Sequence, residues 1–210
     1  SSETVFGEEP ESLIELLERR GERSAIVVDE AYIEFVRDPD CLQTIDFSAA
    51  DHPLVTLRTF SKLYGLAGLR VGYGVMPAAL VEGLNRIRQP FNVNLLAQVG
   101  ARAALADREF VAQTLHLVHS GLDYLYAELD RLGLTYHPTQ ANFFLIDMQR
   151  DAQAVFEAML RQGVIVRSMK SYGFPRCIRV NVGTADENRR FIAALRTVLD
   201  QIAAEPTADI

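Results

Sequence analysis

The sequence predicts an α/β fold followed by a second, smaller α+β domain. Three observations carry that prediction. Apolar runs of strand length alternate with helical periodicity over residues 10–88. The polar clusters Asp29-Glu30 and Ser61-Lys62 stand directly beyond the ends of two of those runs. After about residue 95 the pattern changes to a long helix, then strand, helix, strand, strand and helix.

Taken in order, Pro10 to Arg20 places Leu13, Ile14, Leu16 and Leu17 on one stripe, with glutamates at its start and Gly21 as a stop, and is expected to be a helix. Ala25–Val28 is a short apolar run, expected to be a buried strand, as are Leu54–Leu57 and Val71–Met76. Pro77 then opens a helix reaching about Arg88. A parallel-type sheet covered on both faces follows from this alternation. Ligands of such sheets bind beyond the carboxyl ends of the strands, where Asp29 and Ser61-Lys62 lie.

Asn94–Ala106 reads as the next helix, and Asp107 caps a longer one that ends at Gly133. Strands are expected at Asn142–Ile146, Val164–Val166 and Cys177–Val182, with a helix from Asp151 to Gln162 stopped by Gly163. Thr184-Ala185-Asp186-Glu187 is a capping box opening a final amphipathic helix. The domain boundary is expected between Gln89 and Asp107. This divides the chain into a first domain over 1–95, a second over 96–203 and a frayed tail from 204.

Composition narrows the function classes. With 21 basic and 28 acidic residues the formal charge is 21 − 28 = −7, without basic clusters, which argues against nucleic acid and anionic membranes as partners. No apolar run reaches membrane-spanning length and no signal peptide is legible, so the cytoplasm is the expected compartment. Cys41 and Cys177 are too isolated for a disulfide framework or a zinc site. His116 and His119 share a helical face but have no third ligand in an obvious motif, so no metal is expected.

The sharpest chemical signal is the string Thr59-Phe60-Ser61-Lys62-Leu63-Tyr64-Gly65-Leu66-Ala67-Gly68-Leu69-Arg70-Val71-Gly72-Tyr73. It puts a lysine between a buried strand and a glycine-containing turn, with an arginine eight residues on. A lysine nucleophile requires a desolvated, electropositive setting to attack a carbonyl. Ser61 and Arg70 are suited to hold a phosphate beside it, by a hydroxyl hydrogen bond and a two-pronged ion pair. Taken alone, Lys62 would read as an exposed loop lysine; the whole string reverses that.

This string resembles the cofactor-lysine motif of fold-type I pyridoxal-phosphate aminotransferases. Val27-Val28-Asp29-Glu30-Ala31-Tyr32-Ile33-Glu34-Phe35 resembles the family's upstream motif. Pro90-Phe91-Asn92-Val93-Asn94, Val164-Ile165-Val166-Arg167 and Cys177-Ile178-Arg179-Val180-Asn181-Val182-Gly183-Thr184 point to the histidinol-phosphate aminotransferase branch. The likeness runs from Val5 to about Leu199.

The resemblance implies that Lys62 forms the Schiff base with pyridoxal 5′-phosphate and later moves a proton between Cα and the cofactor. It implies that Asp29 pairs with the pyridine nitrogen and keeps it cationic, that Tyr32 bonds the phenolate oxygen, and that Ser61 and Arg70 hold the phosphate. Arg179, with Arg167 as a second candidate, would bind the substrate's anionic end. Each also has a structural reading: Asp29 as a turn cap, Arg179 and Arg167 as surface ion pairs, Asn92 and Asn94 as helix caps.

The implied reaction interconverts histidinol phosphate and 2-oxoglutarate with imidazole-acetol phosphate and glutamate, in a homodimer. An aromatic or broad-specificity aminotransferase and a phosphothreonine decarboxylase are the alternatives of related chemistry. Family members carry a substantial portion ahead of the segment resembling Val5-Phe6-Gly7. The first domain is therefore expected to be an incomplete fold-type I large domain with three of its usual strands and an exposed edge. A non-catalytic piece acting structurally is the alternative of another class.

Overall fold

In a computed structural model, residues 25–47 and 54–204 are described; the helix expected over Pro10–Arg20 and the last six residues lie outside them. The apolar run after Ala25 forms β1 (Ile26–Asp29), which pairs in parallel with β2 (Leu54–Thr59). β2 pairs antiparallel with β3 (Gly72–Val75), giving a three-stranded sheet of order β1-β2-β3. Leu54, Val55 and Thr56 are buried, so β2 is the central, most enclosed strand of the three. The expectation of a sheet covered on both faces is not met at β1. There half-buried and exposed residues alternate and Val27 is 58% exposed, because β1 is an edge strand with one face open.

Two helices follow: α1 (Ala78–Ile87), which contains no buried residue, and α2 (Leu95–Ala106). Asn94 Oδ1 accepts the Ala97 N–H at 2.9 Å and so caps α2, while Asn92 Oδ1 accepts from Arg88 Nη1 at 3.2 Å. Ala97 and Ala101 of α2 are buried against Phe60 and Val71, with Tyr64, Leu66, Leu69, Val93 and Ala104 packed around them.

The chain divides into two compact units, residues 25–31 with 40–106, and 32–39 with 107–204 among those described. The division therefore falls after α2 rather than at residue 95, because α2 makes its core with the Phe60–Val71 loop. It also hands residues 32–39 to the second unit. There Phe35 is buried, its carbonyl meets His119 Nε2 at 2.8 Å, and Gln140 Oε1 accepts the Arg37 N–H at 2.8 Å.

In the second unit, α3 (Arg108–Arg131) is capped by Asp107, whose Oδ1 accepts the Phe110 N–H at 2.9 Å. A four-stranded antiparallel sheet has the order β4-β5-β7-β6, from β4 (Thr135–His137), β5 (Phe143–Asp147), β6 (Arg167–Ser168) and β7 (Cys177–Asn181). α4 (Ala152–Arg161) separates β5 from β6, and α5 (Ala185–Ala204) closes the unit. Helices α3, α4 and α5 pack on the sheet face that carries Phe144, Ile146, Ile178 and Val180, all buried. The capping box forms reciprocally: Thr184 N donates to Glu187 Oε2 at 2.7 Å and Glu187 N to Thr184 Oγ1 at 3.3 Å.

Two differences from the sequence reading have local causes. Val164–Val166 is not a strand, because Gly163 (φ 71°) and Val164 finish α4. Gly163 N bonds to Leu160 O at 2.9 Å and Val164 N to Met159 O at 3.0 Å, the double bond of a Schellman cap. The strand begins only at Arg167. β4 was not expected at all; three residues are too short a run to show a period of two.

Among the described residues, no helix is long and apolar enough to cross a membrane, and no three His, Cys, Asp or Glu side chains gather as a metal site would require. Cys41 is exposed and Cys177 buried, and both are free thiols.

Candidate active site

In the first unit the candidate residues stand where β1 and β2 end. Asp29 is the last residue of β1 and exposed; its Oδ1 accepts the Ala31 N–H at 3.1 Å, so it does cap the following turn. One carboxylate oxygen is left for another partner.

The loop from Phe60 to Val71 is held from within. Phe60 N donates to Val71 O at 3.1 Å, Leu66 N to Phe60 O at 2.9 Å, and Gly65 N to Lys62 O at 3.0 Å. Gly65 closes that turn at φ 68°, which a side chain would resist. Phe60 and Leu63 point inward, 4% and 2% exposed, and leave Ser61 and Lys62 on the outside of a rigid tip. Arg70 folds back across the same loop. Its Nη1 donates to Ala67 O at 2.9 Å and lies 3.4 Å from Ser61 Oγ. The backbone pays for this placement, since Arg70 sits at φ 53°, in the left-handed region that non-glycine residues rarely occupy. Among the described residues no carboxylate pairs with Arg70, whose exposed guanidinium converges with a hydroxyl.

In the second unit the candidates lie on the sheet face opposite the helices. Arg179 of β7 is paired directly with Leu145 of β5 on one side and with Arg167 of β6 on the other. Like charges directly opposite one another across a ladder are destabilising. Neither arginine has a carboxylate partner among the described residues. Both are instead backed by rings: Arg179 Cζ lies 5.0 Å from the Phe143 centroid, Arg167 Cζ lies 5.2 Å from that of Tyr172, and Arg167 Nη2 donates to Tyr172 Oη at 2.8 Å. Arg179 Nε is buried without a hydrogen-bond acceptor. Two uncompensated cations on one face suit an anionic ligand. Tyr32 reaches the same Phe143 ring, edge to face at 5.3 Å and 72°. The structure thus groups Tyr32 with Arg179 through Phe143, and Arg70 with Ser61, the chain neighbour of Lys62.

Some other arginines are paired with carboxylates, Arg37 with Asp123, Arg131 and Arg196 with Glu128, Arg176 with Asp147, whereas Arg88, Arg150 and Arg190 donate to neutral oxygens. Glu30 and Arg58 form a further pair immediately beside the site, and neither had been assigned a role from the sequence. The signal for Glu30 was there, a second acidic residue directly after a buried strand. Phe143 gave none, being one apolar residue in an apolar strand.

In the first unit Lys62 follows a serine that Arg70 contacts, and the sheet of the second unit carries two facing arginines. Residues 8–195 match the model of the family described as aminotransferase class I and II, and the chain belongs to that family. Among curated relatives, the histidinol-phosphate aminotransferase of Desulfotalea psychrophila is 47% identical over 197 residues, covering 92% of this chain and 52% of that protein. Histidinol-phosphate aminotransferase 2 of Pseudomonas fluorescens is 47% identical over 196 residues, covering 93% and 52%. The chain spans about half the length of the curated relatives it matches. A solved histidinol-phosphate aminotransferase from Sinorhizobium meliloti, in complex with pyridoxal-5′-phosphate, superposes with a TM-score of 0.76 at 28% identity over 85% of this chain and 50% of that one.

Proposed function

We propose that this chain serves transamination of histidinol phosphate with 2-oxoglutarate, giving imidazole-acetol phosphate and glutamate, with pyridoxal 5′-phosphate held on Lys62. The observation that carries the reading is the contact of Arg70 with Ser61, the residue directly before Lys62, by an arginine that lacks a carboxylate partner among the described residues. That donor set fits a phosphorylated aldehyde: a primary amine for the carbonyl, and a hydroxyl and guanidinium for the phosphate. The curated relatives, named histidinol-phosphate aminotransferases, favour this substrate over the related chemistries.

When bound, the cofactor supplies a conjugated cationic ring that withdraws electrons from the substrate's Cα. The chain's residues do the rest. Lys62 Nζ would hold the cofactor through its carbonyl carbon, with loss of water, and, once displaced by the amino donor, would carry the proton from the substrate's Cα to the cofactor's C4′. The Asp29 carboxylate would keep the ring nitrogen protonated by placing a negative charge against it. Ser61 Oγ would donate to the phosphate, which Arg70 would neutralise. Tyr32 Oη would donate to the phenolic oxygen. Arg179, with Arg167, receives the phosphate ester of one substrate and the carboxylate of the other, since both are planar or tetrahedral anions that a guanidinium fork accepts.

A homodimer in the cytoplasm is part of the same proposal. It draws support from the apolar side chains on the outside of the first unit, where Ile87 is 79% and Phe91 94% exposed and Leu95, Leu96 and Val99 follow on α2. Phe91 is also held at φ 58°, a left-handed backbone for a bulky residue. Light scattering over a concentration series should show mass growing towards twice the chain; a constant monomer mass would sink this element.

The cofactor assignment is tested by incubating the chain with pyridoxal 5′-phosphate, reducing with borohydride and mapping the modified peptide, with Lys62→Ala in parallel. An adduct on the Lys62 peptide, absent from the variant, is the expected result. Absence of a specific adduct would overturn it.

A further inference from the structure

Glu30 is the most deeply enclosed acidic side chain next to the site. The residue is 5% exposed, and its two carboxylate oxygens accept three hydrogen bonds and an ion-pair contact. Oε1 accepts the Thr44 N–H at 2.5 Å and the Thr44 hydroxyl at 2.7 Å; Thr44 Oγ1 lies 2.7 Å from Thr56 Oγ1 in turn. Oε2 accepts from Arg58 Nε at 2.9 Å and lies 2.8 Å from Nη2, an ion pair whose side chains are 3% and 13% exposed. Arg58 Nη2 also meets Gln43 Oε1 at 3.2 Å. Burial lowers the Arg58 pKa, but Glu30 and Tyr73 outweigh it and hold the guanidinium above its usual value.

The position of this pair in the chain is what gives it meaning. Glu30 directly follows Asp29, and Arg58 stands four residues before Lys62. The β1–β2 ladder pairs Asp29 with Leu57 and is extended by Glu30 N donating to Leu57 O at 2.9 Å. Since successive side chains point to opposite faces, the Glu30–Arg58 pair clamps one side of the two strand ends while Asp29 is displayed on the other. On the third strand a Cβ at Gly72 would come within 2.7 Å of Arg58 O, so β3 seats tightly against the same backbone.

We propose that Glu30 and Arg58, with Thr44, are positioning residues that lock the register between Asp29 and Lys62, and so set the spacing between the groups that hold opposite ends of the cofactor ring. The proposal rests on the cofactor reading given above. Stability alone does not explain the pair: two buried charges recover little more than their desolvation cost, and well-packed apolar side chains hold two strands together at least as well. A fork of directional bonds does what apolar packing does not, by allowing one register and one angle. Sites held by such supporting bonds lose function steeply when displaced by an ångström.

The test compares wild type with Glu30→Leu/Arg58→Leu, which removes both charges together, and with Arg58→Lys and Thr44→Val, which keep Glu30 charged. Three quantities are read on the full chain: thermal midpoint, the rate of borohydride-trapped adduct on Lys62 at subsaturating pyridoxal 5′-phosphate, and the pH midpoint of the bound cofactor's visible absorbance. The double variant should melt within a few degrees of wild type, yet trap about 10- to 100-fold more slowly. Its absorbance midpoint should move as Asp29 loses its alignment. Arg58→Lys and Thr44→Val should fall between, and they carry the test if the double variant does not fold. Unchanged trapping and midpoint in the variants that fold would overturn the lock and leave the cofactor reading intact. Wild type without an adduct would overturn both at once, which distinguishes the two failures.

Discussion

The two units solve the burial problem differently. In the second, one sheet face is sealed by α3, α4 and α5, and Leu125, Leu129, Ile146, Val155, Met159, Ile178, Leu195 and Val198 are essentially inaccessible. Among the described residues of the first, α1 buries nothing, β1 leaves Val27 open, and one cluster gathers Phe60, Val71, Ala97 and Ala101. The difference teaches where polar groups set the geometry. The second unit is defined by apolar packing and can carry two arginines opposite one another on its free face. In the described part of the first, hydrogen bonds tie the strand ends and the loop: the loop bonds of Phe60, and the buried Glu30–Arg58–Thr44 group.

The comparison breaks most sharply on core truncation. Ile146→Ala, in the sealed face of the second unit, should cost about 2–5 kcal/mol in urea denaturation, through lost burial and the cavity left behind. Ile87→Ala, on the exposed helix of the first, should stay within about 0.5 kcal/mol. Equal effects would mean that the units do not differ in how they are held. A smaller change is expected from Thr184→Ala, which removes the cap of α5 and should cost about 1 kcal/mol by the same measurement.

Acidification sharpens the contrast further. Three carboxyls of the second unit lie below their usual values: Asp147 through its hydrogen bond from Arg176, Asp151 through that from Lys170, and Glu187 through the Thr184 N–H. A carboxyl depressed in the folded state binds its proton less readily than in the unfolded chain. Its stabilising share is present above the ordinary carboxylate range and is lost as pH falls through the folded-state value. These groups are surface-exposed, so the loss should be small. The thermal midpoint of the second unit should fall gradually on acidification, and Asp147→Asn should flatten that slope. An unaltered slope in the variant would remove Asp147 from the account.

Much of this was legible in the sequence because the signals are local. The caps at Asn94, Asp107 and Thr184 each need only a side chain three residues from an amide, and all three form. The glycine stops at Gly133 and Gly163 likewise depend on one backbone angle. The Lys62 loop declared itself by an ordered string of residue types. Where local signals competed the reading slipped: Val164–Val166 has strand composition, but the helix cap claimed Val164 first.

The sequence by itself determined the fold class, the helices and the residues to suspect, since propensity, capping and chemistry act over a few positions. Only the tertiary structure decided which suspects meet. Tyr32 joins Arg179 through Phe143, more than a hundred residues away, because Phe35 is buried in the second unit and draws its segment there. Arg167 faces Arg179 because of strand register, and Glu30 finds Arg58 because two parallel strands end side by side. Such meetings depend on the packing of distant parts, which no short window of residues contains.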